Sequence, residues 1–371
     1  MRDFLLRLGG ERFRERFVDF VCLGIFSKDK ADNNSKVANR VDFMKAIKKF
    51  RILNLMVAGL LVTALALPQM ASAAPSMQRS GGGKNWSFKV GFSAIRDDNL
   101  LGAPERGAIP VSLVGQNFDD TGIRWTTNVA YNYVQSAKLS FKFDYDVNQT
   151  LYEDNNSRDI TTQMFGVTAK YKITPLVNFQ LMYKYIYNIV NRNDFSGINY
   201  IRPTFNYMHK KFGLTSVHFL YSDTNNWVTR LRNTDTSGFG IAQYVFFSNY
   251  KRRVSLSYQY RDDDANGRNF DRDTHQIKLG LRTPLFFGIN LDASGAYTQK
   301  EWDTRLAIDN RLREDNNQQY TVGLDKVLIS KWGYLQNLVA NGKYVYTYNR
   351  SNEDAVFTVN NHFEFGIRAA F

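Results

Sequence analysis

The stretch from Val356 to Phe371 constrains the fold of this chain more than any other. Its alternate positions Phe357, Val359, Phe363, Phe365, Ile367 and Phe371 are apolar, while Thr358, Asn360, His362, Glu364 and Arg368 between them are polar. Alternation with period two is the signature of a strand with two different faces. A strand of a water-soluble domain usually ends after about 5–6 residues, and this pattern runs much further. It predicts a strand with lipid on one face and a polar lumen on the other. The fold class that follows is all-β, an antiparallel up-and-down transmembrane barrel.

The pattern recurs upstream. Apolar residues alternate with polar or small ones at Trp86, Phe88, Val90, Phe92; at Ile123, Trp125, Val129, Tyr131, Tyr133; and at Leu139, Phe141, Phe143, Tyr145, Val147. Further sets run through Phe165–Tyr171, Phe179–Tyr187, Ile201–Tyr207, Thr215–Tyr221, 236–247 and Val254–Tyr260. The last are Ile277–Leu281, Ile289–Tyr297, Tyr320–Leu324, Leu338–Tyr348 and the closing strand. About fourteen strands result, with twelve as the other count, and single-chain bacterial barrels use even numbers. Pro203 lacks the N–H a ladder needs and predicts a bulge or break. The connections alternate between short ones, at 135–138, 174–175, 209–211, 248–251, 284–286 and 330–333, and long charged ones. The long ones fall at 149–159, 191–197, 223–235, 261–273, 300–317 and 349–355. Short periplasmic turns and long external loops would put both termini in the periplasm. The echo of Glu153–Asn156 in Glu314–Asn317 reads as similarity between hairpins.

Ahead of the barrel, Met44 to Arg51 is basic, 56–67 is apolar, and Ala71-Ser72-Ala73 is an A-x-A site. This is the plan of a secretory signal peptide, with an apolar run too short to span a bilayer. Expected segments are an extension at 1–43 with Met44 as the true start, a signal at 44–73, a flexible periplasmic lead at 74–84, and the barrel at 85–371. Cleavage before Ala74 would remove the only cysteine, Cys22, and part of the +13 net charge. With that signal and no basic cluster, the positive charge does not point to nucleic acid.

A terminal aromatic after such alternation, here Phe371, resembles the C-terminal signature of bacterial outer-membrane barrels. Residues 85–371 resemble the porin-like barrels of Gram-negative outer membranes. In strand number and Tyr-rich, Asn/Asp-looped hairpins they are similar to the barrel domain of the surface lipoprotein assembly modifiers. Members of that family carry a helical-repeat periplasmic domain ahead of the barrel, which 1–84 is not expected to form. The resemblance implies outer-membrane lipid and lipopolysaccharide as surroundings, and recognition of the strand ending in Phe371 by the barrel assembly machinery. It leaves the oligomeric state open.

Candidate chemical sites are few. The histidines, His209, His218, His275 and His362, show neither a His-x-Ser pair nor an adjacent Asp and His. No catalytic role and no cofactor are expected. Asp262, Asp264, Asn266, Gly267 and Asp273 match positions of a calcium loop, but the last ligand is Asp instead of Glu, and Arg268 and Arg272 intrude. A solvated, salt-bridged external loop is the preferred reading. Trp86, Trp125, Tyr183, Tyr258 and Tyr344 fit lipid-facing positions in the interfacial girdles. Positions alternating with the lipid face would line the lumen: Lys89, Arg124, Lys142, Lys170, Lys184, Arg202, Arg253, Lys278, Arg282, Lys343 and Arg368, against Asp144, Asp146, Asp292, Asp325 and Glu364. A Lys or Arg in lipid at mid-bilayer costs about 2–4 kcal/mol, which favours the inward face. Excess positive charge between low-dielectric walls concentrates anions. The expected function is therefore a porin-like channel for small hydrophilic solutes with an anion preference. The alternative is a non-channel barrel, an anchor or part of a surface-protein export or assembly system, in which the charged rows pair into ladders that brace the wall.

Overall fold

The computed structural model describes residues 85–104, 113–209, 213–248, 250–306 and 311–371. The extension, signal and lead anticipated at 1–84 lie outside the described residues. The remainder forms fourteen strands. They are β1 (Trp86–Asp97), β2 (Asp120–Val134), β3 (Leu139–Tyr152), β4 (Ile160–Lys172), β5 (Val177–Val190), β6 (Asn193–His209) and β7 (Gly213–Asn226). The chain continues with β8 (Thr234–Phe247), β9 (Arg252–Ala265), β10 (Arg272–Pro284), β11 (Ile289–Leu306), β12 (Leu312–Trp332), β13 (Leu335–Ser351) and β14 (Thr358–Ala370). Each pairs antiparallel with its neighbours in sequence, and β14 returns to β1, so the sheet is a closed barrel. Closure leaves no sheet edge unpaired, the condition for a sheet to sit in lipid. The seam is carried through its last residue, since the Phe371 N–H donates to the Phe88 carbonyl at 2.8 Å. Their rings lie 5.7 Å apart.

Alternation sorts the side chains as the pattern demands. Phe92, Phe143, Phe165, Leu181, Phe219, Leu279, Phe363 and Phe365 are exposed on the outer face. Inward neighbours such as Ser93, Asp144, Thr204 and Thr274 are buried although polar. Trp86, Trp125, Tyr183, Tyr258 and Tyr344 all share register positions with the outer rows. Pro203 interrupts hydrogen bonding without shifting register, because the β6–β7 ladder skips from Ile201↔Tyr221 to Thr204↔His218. The predicted irregularity is thus a gap, not a bulge. At two inward glycines the neighbouring backbone leaves no room for a side chain. A Cβ at Gly366 would collide with the Phe92 carbonyl and Ser93, and one at Gly238 with the Tyr260 carbonyl.

The strands extend beyond the apolar alternation. β12 has 21 residues and β11 has 18, so much of the loop expected at 300–317 is strand. The loop expected at 191–197 shrinks to Asn191 and Arg192, both left-handed at φ 48° and 65°, a two-residue hairpin turn. The external loop expected at 261–273 is shorter, because β9 runs to Ala265 and β10 starts at Arg272, and the residues that match the calcium template are spread over both strands. Asp262 and Asp264 belong to the outer row of β9, Asp273 stands across from Asp262, and Asp263 faces inward. Among the described residues no group of three or more His, Cys, Asp or Glu could hold a metal. The echo of 153–156 in 314–317 is not structural either, since the first is a loop and the second lies in β12. The real repeat is in the loops. Single 3₁₀ turns at Asn156–Arg158, Arg230–Arg232, Arg268–Phe270 and Asp354–Val356 each precede the return strand. In three of them a side chain closes the loop onto the outgoing strand, Asp159 accepting from Tyr152 N, Asn233 from Asn226 N and Asp271 from Ala265 N.

Candidate functional site

Because successive residues face opposite ways, the cross-strand register fixes which charged groups share the inner face. Lys142, Lys170, Lys184, Arg202, Arg253, Lys278, Arg282, Lys343 and Arg368 all fall on the inward rows, as do Asp144, Asp292 and Glu364. They do not behave alike. Asp144 is 4 % exposed and forms ion pairs with Lys142 at 3.2 Å and Lys184 at 3.8 Å. Gly166 across the ladder leaves room for its carboxylate, where a Cβ would strike it. Glu364 binds Arg124 at 2.8 Å. In contrast, Lys170, Arg202, Lys278, Arg282, Lys343, Arg368 and Asp292 form no ion pair with another described residue. The ladder and the open lining thus coexist in one wall.

The long-loop end of the inner face is cross-braced by Arg124, His362 and Glu364, whose face alternation gives, together with residues such as Asp97, Asp120, Asp263, Arg313 and Asp315 that it did not point to. Asp97 on β1, 6 % exposed, accepts from His362 Nδ1 on β14 at 2.8 Å and from the Tyr152 hydroxyl on β3 at 2.9 Å. Arg124 on β2 donates to Thr150 on β3 as well as to Glu364 on β14, so the cluster ties four strands across the seam. Asp120 accepts from the backbone N–H groups of Glu153, Asp154 and Asn155 and anchors the β3–β4 loop. On the other wall Asp263 accepts from Thr236 and Arg272, each at 2.8 Å. Arg313 grips Asp315 with two hydrogen bonds at 3.0 and 2.8 Å, and reaches Glu353 at 3.4 Å. The Trp302 ring lies between the two arginines, 5.2 Å from Arg272 and 4.8 Å from Arg313. Asp97, Asp120, Asp263, Arg272, Arg313 and Asp315 lie where the apolar alternation fades, so nothing in the sequence reports their face. The Asp–His pair absent from the sequence forms across the seam. Its imidazole sits between two carboxylates, with Glu364 at 3.9 Å from Nε2, an arrangement that braces instead of activating a nucleophile.

The short-turn end is different in charge. Within three residues of the strand ends there, the inward rows carry Lys89, Lys142, Lys170, Lys172, Arg253, Arg282 and Arg368 against the single carboxylate of Asp292. One mouth of the barrel is a basic collar, and at the other most of the inward charges are paired across strands.

A closed, even-numbered antiparallel barrel with an apolar outer wall and a polar inner one is an integral membrane barrel of the bacterial outer-membrane class. The family model for the surface lipoprotein assembly modifiers matches residues 86–365. The chain belongs to that family. Solved structures similar to it include an anion-selective porin from Comamonas acidovorans, at 9 % identity over 77 % of this chain and 98 % of that one, with a TM-score of 0.45. A loop-deletion mutant of an outer-membrane protein of Vibrio cholerae aligns at 10 % identity over 78 % of this chain and 100 % of that one, with a TM-score of 0.43. A Pseudomonas aeruginosa FadL homologue aligns at 9 % identity over 77 % and 89 %, with a TM-score of 0.42. No curated protein matches the chain.

Proposed function

We propose that the barrel is a passage through the outer membrane for small hydrophilic solutes, with a preference for anions. The short turns and both termini lie in the periplasm and the longer loops outside. The basic collar carries this reading, because fixed charge of one sign at a mouth with low-dielectric walls raises the local concentration of the opposite ion. The outer wall meets lipid and lipopolysaccharide, and the barrel assembly machinery takes β14, ending in Phe371, as its point of engagement. The test is reversal potential in a salt gradient across a planar bilayer. Chloride preference is expected, reduced when Lys89, Lys170 and Arg368 are changed to Glu. Cation preference in the parent protein would overturn the reading. The export route makes its own prediction, that mass spectrometry of the mature protein finds Ala74 first; a mature chain still holding Phe43 rejects it.

Family membership favours a second reading, in which the barrel takes part in placing lipoproteins on the cell surface. Protease shaving of intact cells separates the two. Loss of surface lipoproteins on deletion, with no conductance from the purified barrel, would favour assembly over permeation.

A further inference from the structure

The basic collar contains one arrangement that makes little sense as wall bracing. Arg253 and Arg282 stand directly opposite each other in the β9–β10 ladder, both on the inward rows. Like charges placed so are destabilising. Neither forms an ion pair with another described residue, and Arg253 instead lies 5.6 Å over the Tyr244 ring. Asp292 occupies the register position across from Arg282 on β11, yet no carboxylate lines the space in front of the arginines. That space is a cavity of about 540 Å³ bounded by Phe246, Tyr250, Lys251, Arg253, Arg282 and Asn290. Its size is that of a small-molecule site, which spans roughly 300–1,000 Å³. The Phe246 and Tyr250 rings meet at 5.3 Å along one side.

We propose that this cavity binds a phosphate-bearing anion whose organic part packs on the Phe246–Tyr250 pair. Two guanidinium forks and one ammonium offer directed donors to a tetrahedral dianion, and the ligand supplies countercharge to an Arg253–Arg282 pair that no described carboxylate bridges. The Asn290 amide adds a neutral donor. The site stands independently of whether the lumen conducts, since it is defined by equilibrium binding.

Isothermal titration of the folded protein in detergent micelles with pyrophosphate and with phenyl phosphate tests this. Saturable binding of one equivalent is expected, with phenyl phosphate also taken up. Arg282→Gln and Arg253→Gln should each weaken it by about tenfold or more, as loss of a charge-assisted hydrogen-bonding group does. Arg230→Gln, which removes the same charge from the distant β7–β8 loop, should leave it unchanged. Should a glutamine variant not fold, Arg282→Lys keeps the charge, loses the fork, and should still weaken binding. Repeating the titration in nanodiscs with and without phosphatidylglycerol separates the sources: competition by the lipid identifies a headgroup, and its absence a soluble phosphate ester. No saturable binding to the parent protein, or equal weakening by Arg230→Gln, overturns the proposal.

Discussion

Asp97 shows how much a single buried carboxylate does in a wall one residue thick. It holds His362 across the closing seam and Tyr152 two strands away, and its side chain is 6 % exposed. Replacement by Ala removes the acceptor and leaves both donors facing a buried gap, and each buried polar group without a partner costs about 1–3 kcal/mol. Urea unfolding from lipid vesicles should show Asp97→Ala destabilised by roughly that amount, and the double variant with His362→Leu less than additively so. Additive losses would mean that the pair does not act as a unit. Arg124 and Glu364, on the same seam, were placed on the inner face by alternation alone, whereas their partnership was not. Register decides which inward residues meet, and the sequence shows the face of a residue but not its neighbour.

At the level of the strand and its loop, the hairpin joining β5 and β6 offers the clearest test. Asn191 and Arg192 are both left-handed, which suits Asn but costs a side chain such as Arg about 1–2 kcal/mol, a cost glycine does not carry. Arg192→Gly should therefore raise stability by up to about 1 kcal/mol in the same unfolding assay. A loss would indicate that the Arg192 side chain makes a compensating contact. This turn also shows why strands run past the ends that the apolar pattern gives. In lipid the outer row must be apolar, so the pattern is legible through the membrane. Past the membrane both rows are polar, and segments such as 193–197 and 312–317 resemble loops while pairing as strands. Strand number, order of hairpins and the facing of Lys142, Lys184 and Arg282 were legible for this reason. The protruding rim, with Asp120, Asp263, Arg272, Arg313 and Asp315, was not.

For the whole molecule, the uneven distribution of charge along the barrel matters more than its total. The long-loop end neutralises Arg124, Arg272 and Arg313 within the wall, through Asp263, Asp315, Glu353 and Glu364. The short-turn end leaves Lys170, Arg282 and Arg368 facing the lumen without such partners. A pore with net fixed charge at one mouth and near-balanced charge at the other fills with counter-ions under one polarity of voltage and is drained of them under the opposite polarity. The expected current–voltage curve of a singly inserted barrel is accordingly curved in low salt and straightens as screening shortens the reach of the collar to about 3 Å at 1 M. Neutralising Lys89, Lys170 and Arg368 together should straighten it without raising the salt. A straight curve in dilute salt would mean that the collar is too far from the constriction to govern flow. On the reading proposed above, such a barrel rectifies, and its orientation in the membrane becomes readable from the sign of the current alone.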